Sequence, residues 1–276
     1  MNITVAVLVM NQREVTQQFL DQMRKTEGDT KLPLLIIDNG SNPPVRDWLI
    51  GLREGDFVVR NEENVGVMPA MNQAHQVLKN TSDFIFFVHN DVMVYEDGWA
   101  GKLVRVLSEL PDCGVAGFYG AKAIGHPNIY NMPYEMSQLA RGECVSACHR
   151  MNAAVHGFRP PRWEHEKVAV LDGFSLAVRT ELLNKLGGFD RSYPIHHNYD
   201  NDICLESLNA GYSNYVIAMD AQHLGGRTDV GENWAEPFGK TKQQVHIDAH
   251  PVMYNKWHPD KVASGQHKIC LPVRIP

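Results

Sequence analysis

The chain has no run of five or more basic residues, and its 26 Lys+Arg are outnumbered by 32 Asp+Glu, for a formal charge of -6. A nucleic-acid surface needs concentrated positive charge, so nucleic acid is excluded as a natural partner. No apolar stretch reaches the roughly 18–20 residues of a membrane span. The apolar opening, Met1 to Met10, lacks a basic n-region and a small-residue cleavage site, so it reads as a first strand rather than a signal peptide. The 5 cysteines, at 113, 144, 148, 204 and 270, are odd in number and irregular in spacing. That argues against a disulfide framework and for a reducing, cytoplasmic setting. Cys144, Cys148 and His149 have no second ligand pair at zinc-site spacing. No Gly-x-Gly-x-x-Gly follows the first strand, and no complete Gly-x-x-x-x-Gly-Lys-Ser/Thr loop exists, which removes the usual dinucleotide and P-loop signatures. Internal repeats and disordered linkers are absent too.

What is present is a 276-residue chain, 43% hydrophobic, long enough for one large α/β domain or a domain with an appendage. Its most apolar run is Phe84 to Val88, which predicts a central strand buried on both faces. Around it, strands are expected at Ile3–Val9, Leu32–Asp38, Phe57–Arg60 and Gly114–Phe118. Helices are expected at about Glu14–Lys25, from Pro43-Pro44 through Trp48, Leu49 and Leu52, from Pro69, and at Trp99–Leu110. Alternation of this kind predicts a parallel sheet wrapped by helices. Residues 120–165 lose the period and read as a loop-rich insertion with some strand near Glu143–His149. Regular structure resumes at Lys167–Arg179, then a short helix capped by Thr180, a helix at Asp200–Ala210 and a strand at Tyr212–Ala218. A weaker helix is expected near Gly239–His250.

In an open α/β sheet, ligands bind beyond the carboxyl ends of the strands. Two carboxylates lie there. Asp91, in His89-Asn90-Asp91, can hold a divalent metal or a sugar hydroxyl, or can simply cap a turn. Asp38, before Asn39-Gly40, can bind a nucleoside or form an Asx turn. The residues alone leave both alternatives open. Asp200 and Asp202, in the first turn of a helix, also suit the helix dipole.

Taken in order, Val5-Ala-Val-Leu-Val-Met-Asn11, Ile36-Ile-Asp38-Asn-Gly-Ser41, Asn64-Val-Gly66 with Asn72, and His89-Asn-Asp91 resemble the early motifs of the family 2 inverting glycosyltransferases. Leu186-Gly-Gly-Phe-Asp190, Tyr199-Asp200-Asn201-Asp202, His223 and Tyr254-Asn-Lys256-Trp257 are similar to the late ones. The likeness covers about Ile3 to His223, and within the family it is to the rhamnosyltransferase-like branch. It implies the GT-A fold, a Rossmann-like, mostly parallel central sheet flanked by helices with a loop-rich insertion on the acceptor side. Residues 1–224 would be the catalytic domain, with 1–120 its nucleotide-binding half and 121–224 its acceptor-binding half. Residues 225–276 would form a tail and lid, hinged at Gly225-Gly226, with Arg227, Lys240 and Lys242 near a diphosphate.

The resemblance also implies chemistry. The reaction would move a sugar from a UDP-sugar, with UDP-glucose the first candidate, to a hydroxyl of a glycan or other acceptor, as in polysaccharide biosynthesis. The departing diphosphate needs a cation, Mn²⁺ or Mg²⁺, held by Asp91 and His223. Asp200 would be the general base of a direct, inverting displacement. Asn11, Asp38, Asn64, Gly66, Asn72, Asn90, Asp172, Gly173, Asp202 and Arg227 would bind substrate. Three departures stand out. His89 replaces the first carboxylate of the Asp-x-Asp motif, Tyr199 replaces the first acid of the Glu-Asp pair, and Glu206 stands where an arginine is common. Competing readings are a non-catalytic carbohydrate- or nucleotide-sugar-binding relative and a sugar-nucleotide pyrophosphorylase, whose basic phosphate loop is missing. A metal-dependent hydrolase built on the 13 histidines would need clustered ligands such as His-x-x-x-His, and no convincing set supports it.

Overall fold

The computed structural model describes residues 1–49, 55–125, 143–148, 158–225 and 234–276. Ile3–Val9 (β1) is an interior strand of the sheet, and its β-branched and small apolar residues suit burial on both faces. Arg13–Thr26 (α1) follows and buries Phe19, Leu20 and Met23, which recur at helical spacing. Leu34–Asn39 (β2), the short Pro43–Arg46 (α2), Phe57–Asn61 (β3), Val67–Leu78 (α3) and Phe84–His89 (β4) complete the first half of the sheet. The second helix is therefore shorter than its apolar residues suggested. Trp48 and Leu49 fall in a turn after it, and Leu52 lies outside the described residues.

Val92–Val94 (β5), Trp99–Glu109 (α4), Cys113–Gly117 (β6), Tyr119–Ala121 (β7) and Ala123–Ile124 (β8) come next. Cys144–Ser146 (β9), Phe158–Arg159 (β10), His165–Val168 (β11), Val170–Leu171 (β12) and Ser175–Arg179 (β13) lead to Thr180–Leu186 (α5). Tyr199–Asn209 (α6), Ser213–Ile217 (β14), Ala221–His223 (β15), Lys242–Lys256 (α7), Asp260–Ala263 (α8) and Val273–Arg274 (β16) finish the chain.

The main sheet has the order β11-β14-β6-β13-β4-β1-β2-β3. The pairs β1/β2, β1/β4, β2/β3 and β6/β14 are parallel, while β13 and β11 run against their neighbours. The fold is thus α/β with a mostly parallel central sheet flanked by helices. Register decides where the chemistry lies. Val9 of β1 pairs with Asp38, and Leu8 pairs with His89, so both polar groups emerge at one edge. Antiparallel β13 pairs Ser175 with Val88, which returns the Asp172-Gly173 turn to that same edge.

Two local expectations change, at Thr180 and in the tail, while the strand expected near Glu143–His149 is present as β9. Thr180 is the first residue of α5 rather than its cap, because Arg179 holds the extended cap position without a capping side-chain bond. The irregular segment contributes β9 and β10 to a second sheet with β7 and β12. The tail helix begins and ends later than the stretch expected near Gly239–His250. α7 runs to Lys256 with Pro251 inside it, and β16 pairs antiparallel with β8. The proposed hinge partner Gly226 and the basic residue Arg227 lie outside the described residues.

Candidate active site

The carboxyl edge of β1, β2 and β4 opens into a cavity of about 270 Å³. Its lining includes one carboxylate, Asp91, and among the described residues no lysine or arginine. All four described non-glycine residues with left-handed backbone border this region. Asn11 and Gln12 (φ 56 and 51) end β1, and His197 and Asn198 (φ 74 and 61) precede α6. Such backbone costs energy and tends to persist where function holds it.

Three side chains converge at the cavity floor. His89 is the last residue of β4, fixed by its N–H donating to the Phe174 carbonyl at 2.9 Å. Asp91 follows it and is 4% exposed. His223 arrives on β15, whose pairing with β5 sets it opposite Val92. Its Nε2 lies 3.3 Å from Asp91 Oδ1, and the Phe174 ring stacks on it at 4.4 Å. One ligand atom from each of His89, Asp91 and His223 falls within 4.8 Å of the others. Two imidazoles and a carboxylate at that spacing fit a divalent transition ion. Burial lowers the His89 pKa against the pull of Asp91, which favours the neutral imidazole that ligates. Burial also opposes charge on His223, but the hydrogen bond and the negative charge of Asp91 outweigh it and raise its pKa. The structure thus adds His89 to the expected Asp91 and His223. The sequence signal was its place in the motif, discounted because it is not an acid.

The other expected residues divide. Asn64, Gly66, Asn90 and Gly173 line the cavity. Asn64 Oδ1 accepts from Gly66 N–H and from Asn39 Nδ2, both at 2.9 Å, and Asn90 donates to Thr16 Oγ1 at 2.9 Å. Gly173 has a steric reason to be glycine, since a Cβ there would sit 2.4 Å from the Tyr199 hydroxyl. Its N–H donates to Asp200 Oδ2 at 3.1 Å, so Asp200 stands at the cavity rim. Asp200 Oδ1 accepts from Asn201 N–H at 2.8 Å. Asp172 accepts from Phe174 N–H at 3.3 Å and forms that turn. Asn11 ties β1 to the β2 turn, donating its N–H to Ser41 Oγ at 2.8 Å and accepting from Asn42 N–H at 2.9 Å. Asp38 is buried behind the same turn. It accepts from Ser41 N–H at 2.9 Å and pairs with Arg60, while its neighbour Asn39 lines the cavity.

Two of the expected residues are engaged within the protein. The Asn72 amide is engaged from both sides by the Phe189 backbone, donating to its carbonyl at 2.9 Å and accepting from its N–H at 2.7 Å. It braces the Gly188-Phe189 turn, where Gly188 (φ 111) has no space for a Cβ. Asp202 faces away from Asp200 into the protein. It accepts from Tyr193 Oη at 3.0 Å and Trp257 Nε1 at 2.8 Å, and it pairs with Lys256 at 2.8 Å. Lys256 also reaches Asp190 and Glu206, each at 2.9 Å. The unexpected Glu206 is therefore a partner of the tail lysine. Lys256→Met should cost about 3–5 kcal/mol, toward the lower end because Tyr193 and Trp257 still answer Asp202. Urea unfolding checks this, and an unchanged midpoint would refute the role assigned to the cluster.

Residues 4–187, 184 of the 276, match the family model described as Glycosyl transferase family 2. No curated protein matches the chain. Among solved structures, the fold is similar to GalNAc-T7 with UDP, GalNAc and Mn²⁺, at TM-score 0.59 and 15% identity over 80% of this chain and 43% of that one. It is also similar to the mannosyltransferase PcManGT from Pyrobaculum calidifontis with GDP-Man and Mn²⁺, at 0.50 and 17%, covering 95% and 73%. A third is S. aureus TarS 1-349 with UDP-GlcNAc, at 0.53 and 13%, covering 84% and 61%. The chain spans less than half the length of the first of these. Among its described residues no helix is long and apolar enough to cross a membrane.

Proposed function

This chain belongs to glycosyl transferase family 2, and from that premise we propose that it is a glycosyltransferase carrying out a metal-dependent, inverting transfer from a nucleoside-diphosphate sugar to an acceptor hydroxyl. The observation that carries the reading is the convergence of His89, Asp91 and His223 in a cavity whose described lining holds no lysine or arginine. These three residues would hold Mn²⁺ or Mg²⁺, with two imidazoles favouring Mn²⁺. When bound, the cation offsets the charge that grows on the diphosphate as it leaves the sugar. Asp200, oriented by two backbone N–H groups, takes the acceptor proton as that oxygen attacks C1 from the opposite face. The new bond forms as the old one breaks, so the anomeric centre inverts. Residues before about 120 would carry the nucleotide and those after it the acceptor.

A UDP-sugar is the favoured donor. The similar structures contain UDP, GDP-Man and UDP-GlcNAc, so the nucleoside is the variable a donor panel should resolve first. Thermal shift with each nucleotide sugar, with and without Mn²⁺, tests the whole reading, since a ligand specific to the folded state raises stability by mass action. No shift and no turnover with any donor would return the chain to a non-catalytic carbohydrate-binding role. If Asp38 reads the nucleoside, Asp38→Ala should weaken the free nucleoside diphosphate by about 1.5–3 kcal/mol, the range for a hydrogen bond to a charged group. Calorimetry showing unchanged affinity in a folded variant would leave Asp38 only its turn and its pair with Arg60.

A further inference from the structure

Tyr199 stands where the resemblance expects an acid, next to Asp200 in the chain and in the wall of the same cavity. It is the first residue of α6 and is 4% exposed. Its ring meets those of Phe189 and His196 edge to face, with centroids 6.3 and 5.7 Å away. Its hydroxyl lies against Gly173, where a Cβ would fall 2.4 Å from the hydroxyl oxygen. The same glycine donates its N–H to Asp200 Oδ2 at 3.1 Å, so one turn of chain both seats the phenol and fixes the base. Among the described residues no group hydrogen-bonds to the Tyr199 hydroxyl. A phenol this deeply buried ordinarily finds a partner. Tyr193 nearby does, donating to Asp202 at 3.0 Å. Burial first, then the charges of Asp200 and Asp172, push the Tyr199 pKa well above its ordinary value. The hydroxyl therefore keeps its proton at neutral pH.

We propose that Tyr199 is a specificity residue for the acceptor, its hydroxyl donating a hydrogen bond to the oxygen next to the one that Asp200 deprotonates. The inference rests on the transferase reading and on Asp200 as its base. The carboxylates that act on the phenol are those of Asp200 and Asp172, which sets it on the base's side of the cavity. An ionised acid at position 199 could only accept hydrogen bonds, whereas a protonated phenol donates one. Asp200 takes the proton of one hydroxyl while Tyr199 holds the oxygen beside it. Together they read two oxygens on adjacent carbons, the vicinal diol of a sugar ring. The acceptor class is then a glycan. A lone alcohol, such as a serine side chain, would leave the buried phenol unanswered and be rejected for that reason.

The test crosses a variant with an acceptor analogue, using the full chain and Mn²⁺. UDP-glucose, UDP-GlcNAc and GDP-mannose serve in turn as donors, and methyl hexosides and their monodeoxy forms as acceptors. Phenylalanine fills the same space, so Tyr199→Phe removes the hydrogen bond alone. With the parent hexoside its kcat/KM should fall about tenfold. Deleting the hydroxyl beside the attacked one should cost wild type a similar factor, and that deoxy acceptor should serve both proteins equally. A structural Tyr199 would slow both acceptors alike, and that result overturns the proposal, as does a Tyr199→Phe protein with wild-type kcat/KM. One arm needs no variant: a wild type that uses every monodeoxy form with the attacked hydroxyl intact as well as the parent also refutes it. Donor hydrolysis without transfer to any hexoside sinks the diol reading and leaves the transferase reading standing, whereas no donor turnover at all ends both.

Discussion

Asp91→Ala is expected to lower sugar transfer about a thousandfold and to remove the response of the remaining activity to Mn²⁺. The size follows from charge. A metal ion at a departing diphosphate contributes several kcal/mol, and each 1.36 kcal/mol is tenfold in rate. The described cavity lining has no lysine or arginine to take its place. Asp91 is the single carboxylate of the cluster, so its loss leaves two neutral imidazoles for a hard ion that prefers oxygen. Steady-state rates across a Mn²⁺ titration, with and without chelator, make the measurement. Wild-type turnover unchanged in excess chelator would sink the metal assignment. So would an Asp91→Ala variant that keeps a normal Mn²⁺ response.

Much of this site was legible because local pattern and strand polarity are local properties. Phe84 to Val88 is buried on both faces as its unbroken apolar run requires, and the polar residues after it fall at the sheet's carboxyl edge. His223 was placed by family likeness alone. What brings it to Asp91 is the pairing of β15 with β5, more than a hundred residues apart, and no periodicity encodes that register. His89 was undervalued for the same reason, since its value depends on the position of His223. The orientation of Asp202 follows from helix geometry. Two residues apart on a helix are roughly 200° apart around it, so Asp200 and Asp202 cannot face one site. One reaches the Gly173 turn and the other reaches Lys256 and Trp257.

Asp200→Asn separates structure from chemistry most sharply. Asp200 lies in the first turn of α6, where an acid suits the helix dipole, and Asn198 already occupies the cap position. A purely structural Asp200 would therefore contribute a few tenths of a kcal/mol to about 1 kcal/mol of stability, and asparagine would change transfer little. A general base behaves differently. Asparagine keeps the size of the side chain and one of the two hydrogen bonds accepted from the Gly173 and Asn201 N–H groups, because its amide nitrogen donates, and it cannot accept the acceptor's proton. Removing a general base typically costs ~10²–10⁴-fold. The variant should thus fold, bind donor and Mn²⁺ at near wild-type affinity, and transfer at least ~100-fold more slowly. Calorimetry for binding and single-turnover kinetics for transfer give the two readouts independently. Transfer at near wild-type rate would remove Asp200 as the base, and Asp202, locked to Lys256, would not inherit the role. The search would then turn to Asp172, whose turn meets the same edge of the sheet.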